Sequence, residues 1–355
     1  MVARGAHSWH EITTQGQSWG SALDETLARA DALRPLLAAN RDRRTFFIGC
    51  GSTHYLALYA APTFQRITGR SARGVPSSEL RWQTDTLLTP GEVPLVVALS
   101  RSGATSETIL AVEHLSLRAD ALTISCYDDT PLARASTLTI AIPGGREESY
   151  AQTRSFAGML VAAQTLAALS ARDDALLAEL RQLPALAEDV IARADALARQ
   201  IGPNEGFKRI TYLGSGALYG LASEATVKMK EMSLSLAEPY HFMEFRHGPM
   251  ALVDEAHLIV ALLSDEMRAY ETAVLRDLKA RGATIVAVGS QVEDVADFAD
   301  ATLALGAPVG PVARGVLYLP FLQLLAYHRA MGRGLNPDRP RHVVMSIQLD
   351  GTDMR

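Results

Sequence analysis

The chain has 355 residues, of which 48% are apolar, and its 34 basic and 39 acidic residues give a formal charge of −5. This composition allows a large core in one or two domains. It excludes the basic balance of an electrostatic nucleic-acid binder. The two cysteines, Cys50 and Cys126, show no zinc spacing, and the expectation is a metal-free protein of the reducing cytoplasm.

Residues 1–40 read as an N-terminal helical arm, whose opening "MVARGAHSWHEITTQG" lacks the apolar stretch of a secretory signal. Residues 41–170 read as a first α/β unit and 206–330 as a second. Between them, 171–205 is a connecting helical segment, Ala/Leu/Arg-rich and broken at Pro184. The tail, 331–355, is Pro-rich and then strand-like over 342–349. The most apolar helical segments, 155–171 and 315–332, fall short of, or are broken within, the roughly 20 apolar residues of a membrane span. Pro320, Gln323, His328 and Arg329 interrupt the second, so both are expected to be buried helices, with no membrane contact.

Short Val/Ile/Leu runs alternate with helical patterns, the signature of α/β units on a parallel sheet. The chain also resembles itself. "RRTFFIGCGSTHYLALYA" (43–60) matches "FKRITYLGSGALYGLASEA" (207–225), 94–110 matches 257–275, and 119–129 matches 282–291. All three pairs share about the same offset, as a duplication requires. The Gly-x-Gly turns lack the dinucleotide fingerprint G-x-G-x-x-G in register.

In an open parallel sheet, ligands bind beyond the carboxyl ends of the strands. There the copies diverge: "SRSGATSET" in the first, "LSDEMRAYET" in the second. Ser100, Ser102, Thr105 and Ser106 offer hydroxyls, Gly103 permits close backbone approach, and the following helix offers free amides. Ser52 and Thr53 belong to the same sheet edge. Together they suit a phosphate, which Asp265 and Glu266 of the second copy would repel. A Ser-x-x-Glu capping box is the other reading of this loop, and one set of helix amides serves both.

In "SEATVKMKEMSLSLAEPYHFMEFRHGPM" (223–250), Glu224, Lys228 and Glu231 share one helix face, leaving Ala225, Val227, Met229 and Met232 for the core. A carboxylate beside an ammonium suits proton transfer at a carbon next to a carbonyl or imine, with Lys228 holding the developing oxyanion. A solvated ion-paired face is the alternative. His247, before Gly248-Pro249, is expected in a loop.

The motifs "GCGST", "SRSGATSET", "EATVKMKEMS", "FRHGP" and "NPDRPRH", in that order, resemble the sugar isomerase (SIS) family. More narrowly, they resemble the double-SIS isomerase domain of glucosamine-6-phosphate synthase and its stand-alone relatives, from about residue 40 to the tail. The resemblance implies two three-layer α/β/α subdomains, each with a mostly parallel, flavodoxin-like sheet, and a tail that closes the site. It implies that Cys50, Gly51, Ser52, Thr53, Ser100, Arg101, Ser102 and Thr105 hold a sugar phosphate. It further implies that Glu231 moves a proton between C1 and C2, with Lys228 and Glu224 as its helix partners. His247 would open the sugar ring from the neighbouring subunit of a homodimer. No cofactor or metal is implied.

Two positions depart from the family. Arg101 stands where the synthase has glutamine, and Met345 in "PRHVVMSI" stands where a tail lysine can engage the carbonyl. A short arm ahead of the first unit leaves no room for a glutaminase or a helix-turn-helix regulator domain. The leading expectation is a glucosamine-6-phosphate deaminase-like enzyme. The alternatives are a ketose/aldose isomerase, a deglycase, or a non-catalytic sugar-phosphate-binding regulator.

Overall fold

The computed structural model describes residues 3–349. Among them, the strands β1 (Thr45–Gly49), β2 (Ala72–Pro76), β3 (Leu95–Ser100), β4 (Ala121–Ser125) and β5 (Leu138–Ala141) form one sheet. The strands β6 (Arg209–Gly214), β7 (Ala237–Tyr240), β8 (His257–Leu262), β9 (Thr284–Gly289) and β10 (Ala301–Ala304) form another. All pairs are parallel. The first sheet has the order β2-β1-β3-β4-β5, and the second repeats it as β7-β6-β8-β9-β10. This is the flavodoxin-like order, and the duplication read from the sequence is a duplication of whole sheets.

The central strands β1, β3, β4 and β8 are buried at every residue. They read as continuous apolar runs because helices cover both sheet faces. The outer strands β2 and β7 end in or contain proline, Pro76 and Pro239, and are only partly buried, as suits strands with one unpaired edge.

The chain divides into two compact units. One comprises Thr14–Glu147, Gln152–Pro184 and 344–349, with the first sheet. The other comprises 3–13, Glu148–Ala151 and Ala185–Val343, with the second. In the first, the helix Arg154–Ala171 is buried from Ser155 to Leu169 and packs on the helices Ser52–Thr68 and Gln15–Ala28. In the second, the helix Leu319–Gly332 is buried from Leu319 to Ala330 and packs on the helices Leu218–Ser233 and Ala6–Thr13. The backbone amide and hydroxyl of Ser8 both donate to Asp338 Oδ1 at 2.8 Å, fixing the N-terminal helix there. No helix among the described residues is long and apolar enough to cross a membrane.

Two local expectations are corrected. Pro184 does not break a helix but begins one: it is the second residue of the helix Leu183–Ile201, and the break falls after the helix Asp174–Leu180. A first-turn residue has no intrahelical acceptor for its amide, so proline costs nothing there. Residues 342–349 form no strand. Their backbone groups bond a helix terminus instead: Ser106 N donates to Ile347 O at 3.2 Å, and Leu349 N donates to Ser106 Oγ at 3.0 Å.

The Gly-x-Gly turns have the same geometric cause in both copies. A Cβ on Gly49 would lie 2.5 Å from the Thr53 carbonyl carbon, and one on Gly214 would lie 2.6 Å from the Leu218 oxygen. Gly51 and Gly216 take φ of +56° and +55°. Gly49→Ala is therefore expected to lower the unfolding free energy by about 3 kcal/mol, because the clash is with backbone. Urea denaturation measures this.

Candidate functional site

In each sheet the strand order reverses between the first and third strands of the unit, which makes the ends of β1 and β3, and of β6 and β8, the switch points where ligands bind. After β1, the Thr53 hydroxyl accepts from Cys50 N at 2.9 Å and donates to Cys50 O at 3.0 Å. Its proton is thereby committed to the turn. The Cys50 thiol lies 3.5 Å from Thr108 Oγ1, which lies 3.0 Å from Ser77 Oγ at the end of β2. Burial pushes this thiol above its usual pKa. Gly51 caps the helix Ser52–Thr68, and Ser52 opens it, buried.

After β3, the hydroxyls behave differently. Ser100 Oγ accepts from Gly103 N at 3.1 Å, and Ser102 Oγ accepts from Ala104 N at 3.2 Å. Both serines are acceptors toward the loop and retain their protons for a ligand. Gly103 has φ +63°, and a Cβ there would lie 2.3 Å from Thr130 Oγ1, so only glycine fits. Thr105 is the N-cap of the helix Ser106–Leu115 but makes no side-chain cap bond. The capping-box reading therefore describes the position and not the contact.

Arg101 is 4% exposed. Its Nη1 lies 3.2 Å from Glu147 Oε2, and its Nη2 donates to the Met345 carbonyl at 3.1 Å. Glu147 also accepts from the amide and hydroxyl of Thr153, at 2.6 and 3.0 Å, and of Ser155, at 3.1 and 2.6 Å. The two residues that depart from the family pattern thus touch each other, and the Arg101 guanidinium joins the loop after β3 to the tail.

In the other unit, Glu224, Lys228 and Glu231 come together on the helix Leu218–Ser233. Lys228 Nζ lies 2.6 Å from Glu231 Oε2 and 3.5 Å from Glu224 Oε1. The Lys228 and Glu224 side chains are 1% and 3% exposed, whereas Glu231 is 25% exposed. This face is not solvated: the helix is buried on both sides, and the ammonium carries one carboxylate to the surface. His247 is exposed in the loop after the helix Phe242–Phe245. Among the described residues, no hydrogen bond links it to Glu231 or Lys228.

The second switch point is already filled by a carboxyl group of the chain itself. Glu271, fully buried, accepts from the amide and hydroxyl of Ser264, each at 2.8 Å, and from the Ser215 side chain of the β6 turn. Asp265 pairs with Arg314 at 2.8 Å and accepts from Ser290. Ser77, Thr108, Glu147 and Glu271 were not legible as site residues. The one available signal was positional, since Ser77 directly follows a strand.

The SIS domain family matches this chain over residues 39–169 and 206–328. The glutamine–fructose-6-phosphate aminotransferase (isomerizing) of Methanothermobacter thermautotrophicus is 26% identical over 354 residues, covering 99% of this chain and 59% of that protein. The chain spans about half to three-fifths of the length of such curated relatives. Among solved structures, glucosamine-6-phosphate deaminase from Thermotoga maritima superposes with a TM-score of 0.74 at 25% identity, over 93% of this chain and 100% of its own. Tagatose-6-phosphate ketose/aldose isomerase from Escherichia coli shares the fold with a TM-score of 0.85 at 23% identity, over 98% of this chain and 99% of its own.

Glu147→Gln leaves the buried Arg101 cation unmatched and is expected to cost about 3–5 kcal/mol of stability, read by urea denaturation at neutral pH. Burial raises the Glu271 carboxyl above its ordinary value of 4.5. The folded state therefore holds this proton more tightly than the unfolded chain does. The stability it contributes is present below 4.5 and is lost as pH rises through the raised folded value. Measured from pH 4 to 7, the stability difference between wild type and Glu271→Gln should move steadily in favour of the glutamine variant.

Proposed function

The chain belongs to the SIS domain family, and from that premise we propose that it is an enzyme moving a proton between C1 and C2 of a hexose or amino-sugar 6-phosphate. The observation that carries this reading is the buried Lys228, which presents a single accessible carboxylate, Glu231. A base fixed by a buried cation on a rigid helix is pre-positioned for a carbon acid. On the phosphate side, the reading rests on Ser100 and Ser102, whose hydroxyl protons remain available, with Thr105, Ser52, Thr53, Cys50 and Gly51 forming the neighbouring turns. The buried, ion-paired Arg101 is assigned to positioning that loop, and not to direct phosphate contact.

For a 2-amino sugar, His247 opens the ring. Glu231 takes the C2 proton to give a cis-enolamine and returns it at C1. Water then hydrolyses the resulting C2 imine, releasing ammonia and leaving the ketose phosphate. Lys228 stabilises the oxygen as negative charge develops on it. The His247 side chain is exposed, which suits delivery to the site of a second copy in a homodimer. The deaminase reading is supported by the likeness to the Thermotoga maritima protein of that name. Aldose–ketose isomerisation without ammonia release is the second reading, and Met345 favours it, since methionine offers no amine for imine formation.

Glu231→Gln is expected to reduce solvent-deuterium exchange at C2 of the sugar phosphate by about 10³-fold while leaving binding of inorganic phosphate intact. Unchanged exchange removes Glu231 from the mechanism. Ammonia release from glucosamine 6-phosphate, assayed alongside, separates the two readings: exchange without ammonia selects the isomerase.

A further inference from the structure

Opposite the loops just described, the first sheet has a second polar feature. A cavity of about 600 Å³ is lined by Arg34, Arg41, Arg70 and Arg172, with Asp42 as its only carboxylate and Ser170 as a hydroxyl. Its volume is that of a small-molecule pocket. Arg41 and Asp42 shortly precede β1, and Arg70 shortly precedes β2. The cavity therefore borders the amino edge of the strands, whereas Ser100 ends β3 at the carboxyl edge. Five-residue strands separate these edges by about 16 Å, so an occupant of the cavity is not the reacting sugar.

The charge of the cavity is offset only in part, because the ion pairs at its rim are exposed and screened by solvent. Arg41 lies 3.6 Å from its sequence neighbour Asp42, and Arg34 lies 3.8 Å from Asp31; both are exposed pairs. Arg70, half-buried, donates to the Asn40 carbonyl at 2.5 Å and to Ser170 Oγ at 3.0 Å. With a further bond to the Leu37 carbonyl at 3.5 Å, it answers the negative end of the helix Ala30–Ala39 and forms the wall of the cavity. Arg172 ends the helix Arg154–Ala171 with φ 59° and ψ 41°, the left-handed conformation that glycine takes at such positions. An arginine there carries a backbone cost that glycine would not, as Leu234 does at the end of the helix Leu218–Ser233.

We infer that this cavity is an anion site for a ligand carrying a diphosphate, separate from the Ser100–Thr105 loop and independent of the reaction proposed above. Guanidinium forks match phosphoryl oxygens in pairs, and Arg34, Arg41 and Arg172, set around the fixed charge of Arg70, suit more than one phosphoryl group.

Calorimetric titration of the full chain with inorganic pyrophosphate tests this. Arg172→Gly is the decisive variant, because glycine relieves the backbone and the protein should fold at least as well. The expectation is that wild type binds pyrophosphate more tightly than inorganic phosphate. Arg172→Gly and Arg41→Ala should each weaken that binding about tenfold, while Ser102→Ala removes only the separate binding event at the loop after β3 and leaves this one in place. ADP, titrated in parallel, separates the sources: tighter binding than pyrophosphate supports the site with a nucleotide as ligand, and equal or weaker binding supports it with the diphosphate alone. Absence of pyrophosphate binding, binding unaffected by Arg172→Gly, or binding abolished by Ser102→Ala would overturn the inference. Failure of the C2 exchange assay leaves this result untouched.

Discussion

A parallel sheet clad by helices on both faces can offer polar groups only at its ends. This constraint governs the whole chain. The central strands are buried throughout, and the chemistry is displaced to the loops that leave them and the helices that follow. Because the arrangement is built twice with one strand order, the copies form a controlled comparison. One switch point presents serine hydroxyls that accept from their own loop and keep their protons. Its counterpart is filled by the chain's own carboxylate, Glu271, held by Ser264 and Ser215. The duplicated fold thus has one turn with uncommitted serine hydroxyls and one filled by a carboxyl group of the chain itself.

Both units also bury a cation among carboxylates, Arg101 with Glu147 and Lys228 with Glu224 and Glu231. Apolar residues of similar volume would serve stability as well or better. What the ion pairs add is direction. Arg101 fixes the loop after β3 and reaches the tail at Met345; Lys228 fixes one carboxylate at the surface. Each cation is held by its partners, and Arg101 orients the segments it joins.

The sheet repeat was legible because both copies keep the same glycines where a helix backbone crowds a strand end, at Gly49 and Gly214, and where the turn needs positive φ, at Gly51 and Gly216. The outer strands β2 and β7 were not paired from sequence, since four- and five-residue strands containing proline carry little pattern. The Glu224–Lys228–Glu231 cluster was legible because helical spacing alone brings it together. Arg101 was legible by its position in the loop after β3, but its pairing was not: Glu147 lies 46 residues away in an irregular segment with no periodicity. Residue type reports what a side chain could bind, and only tertiary contacts report what it already binds.

The Ser8–Asp338 bond joins residues 330 apart in the chain. The helix Ala6–Thr13 is synthesised well before the helix Leu319–Gly332 on which it packs, and both belong to the second unit. At roughly 5–20 residues per second, the helix waits on the order of 20–60 s on the ribosome for its partner. During that interval the first sheet can complete its core while the apolar side of this helix, with Trp9, stays uncovered. The second unit therefore closes only after the chain has been made through Asp338, long after its opening helix.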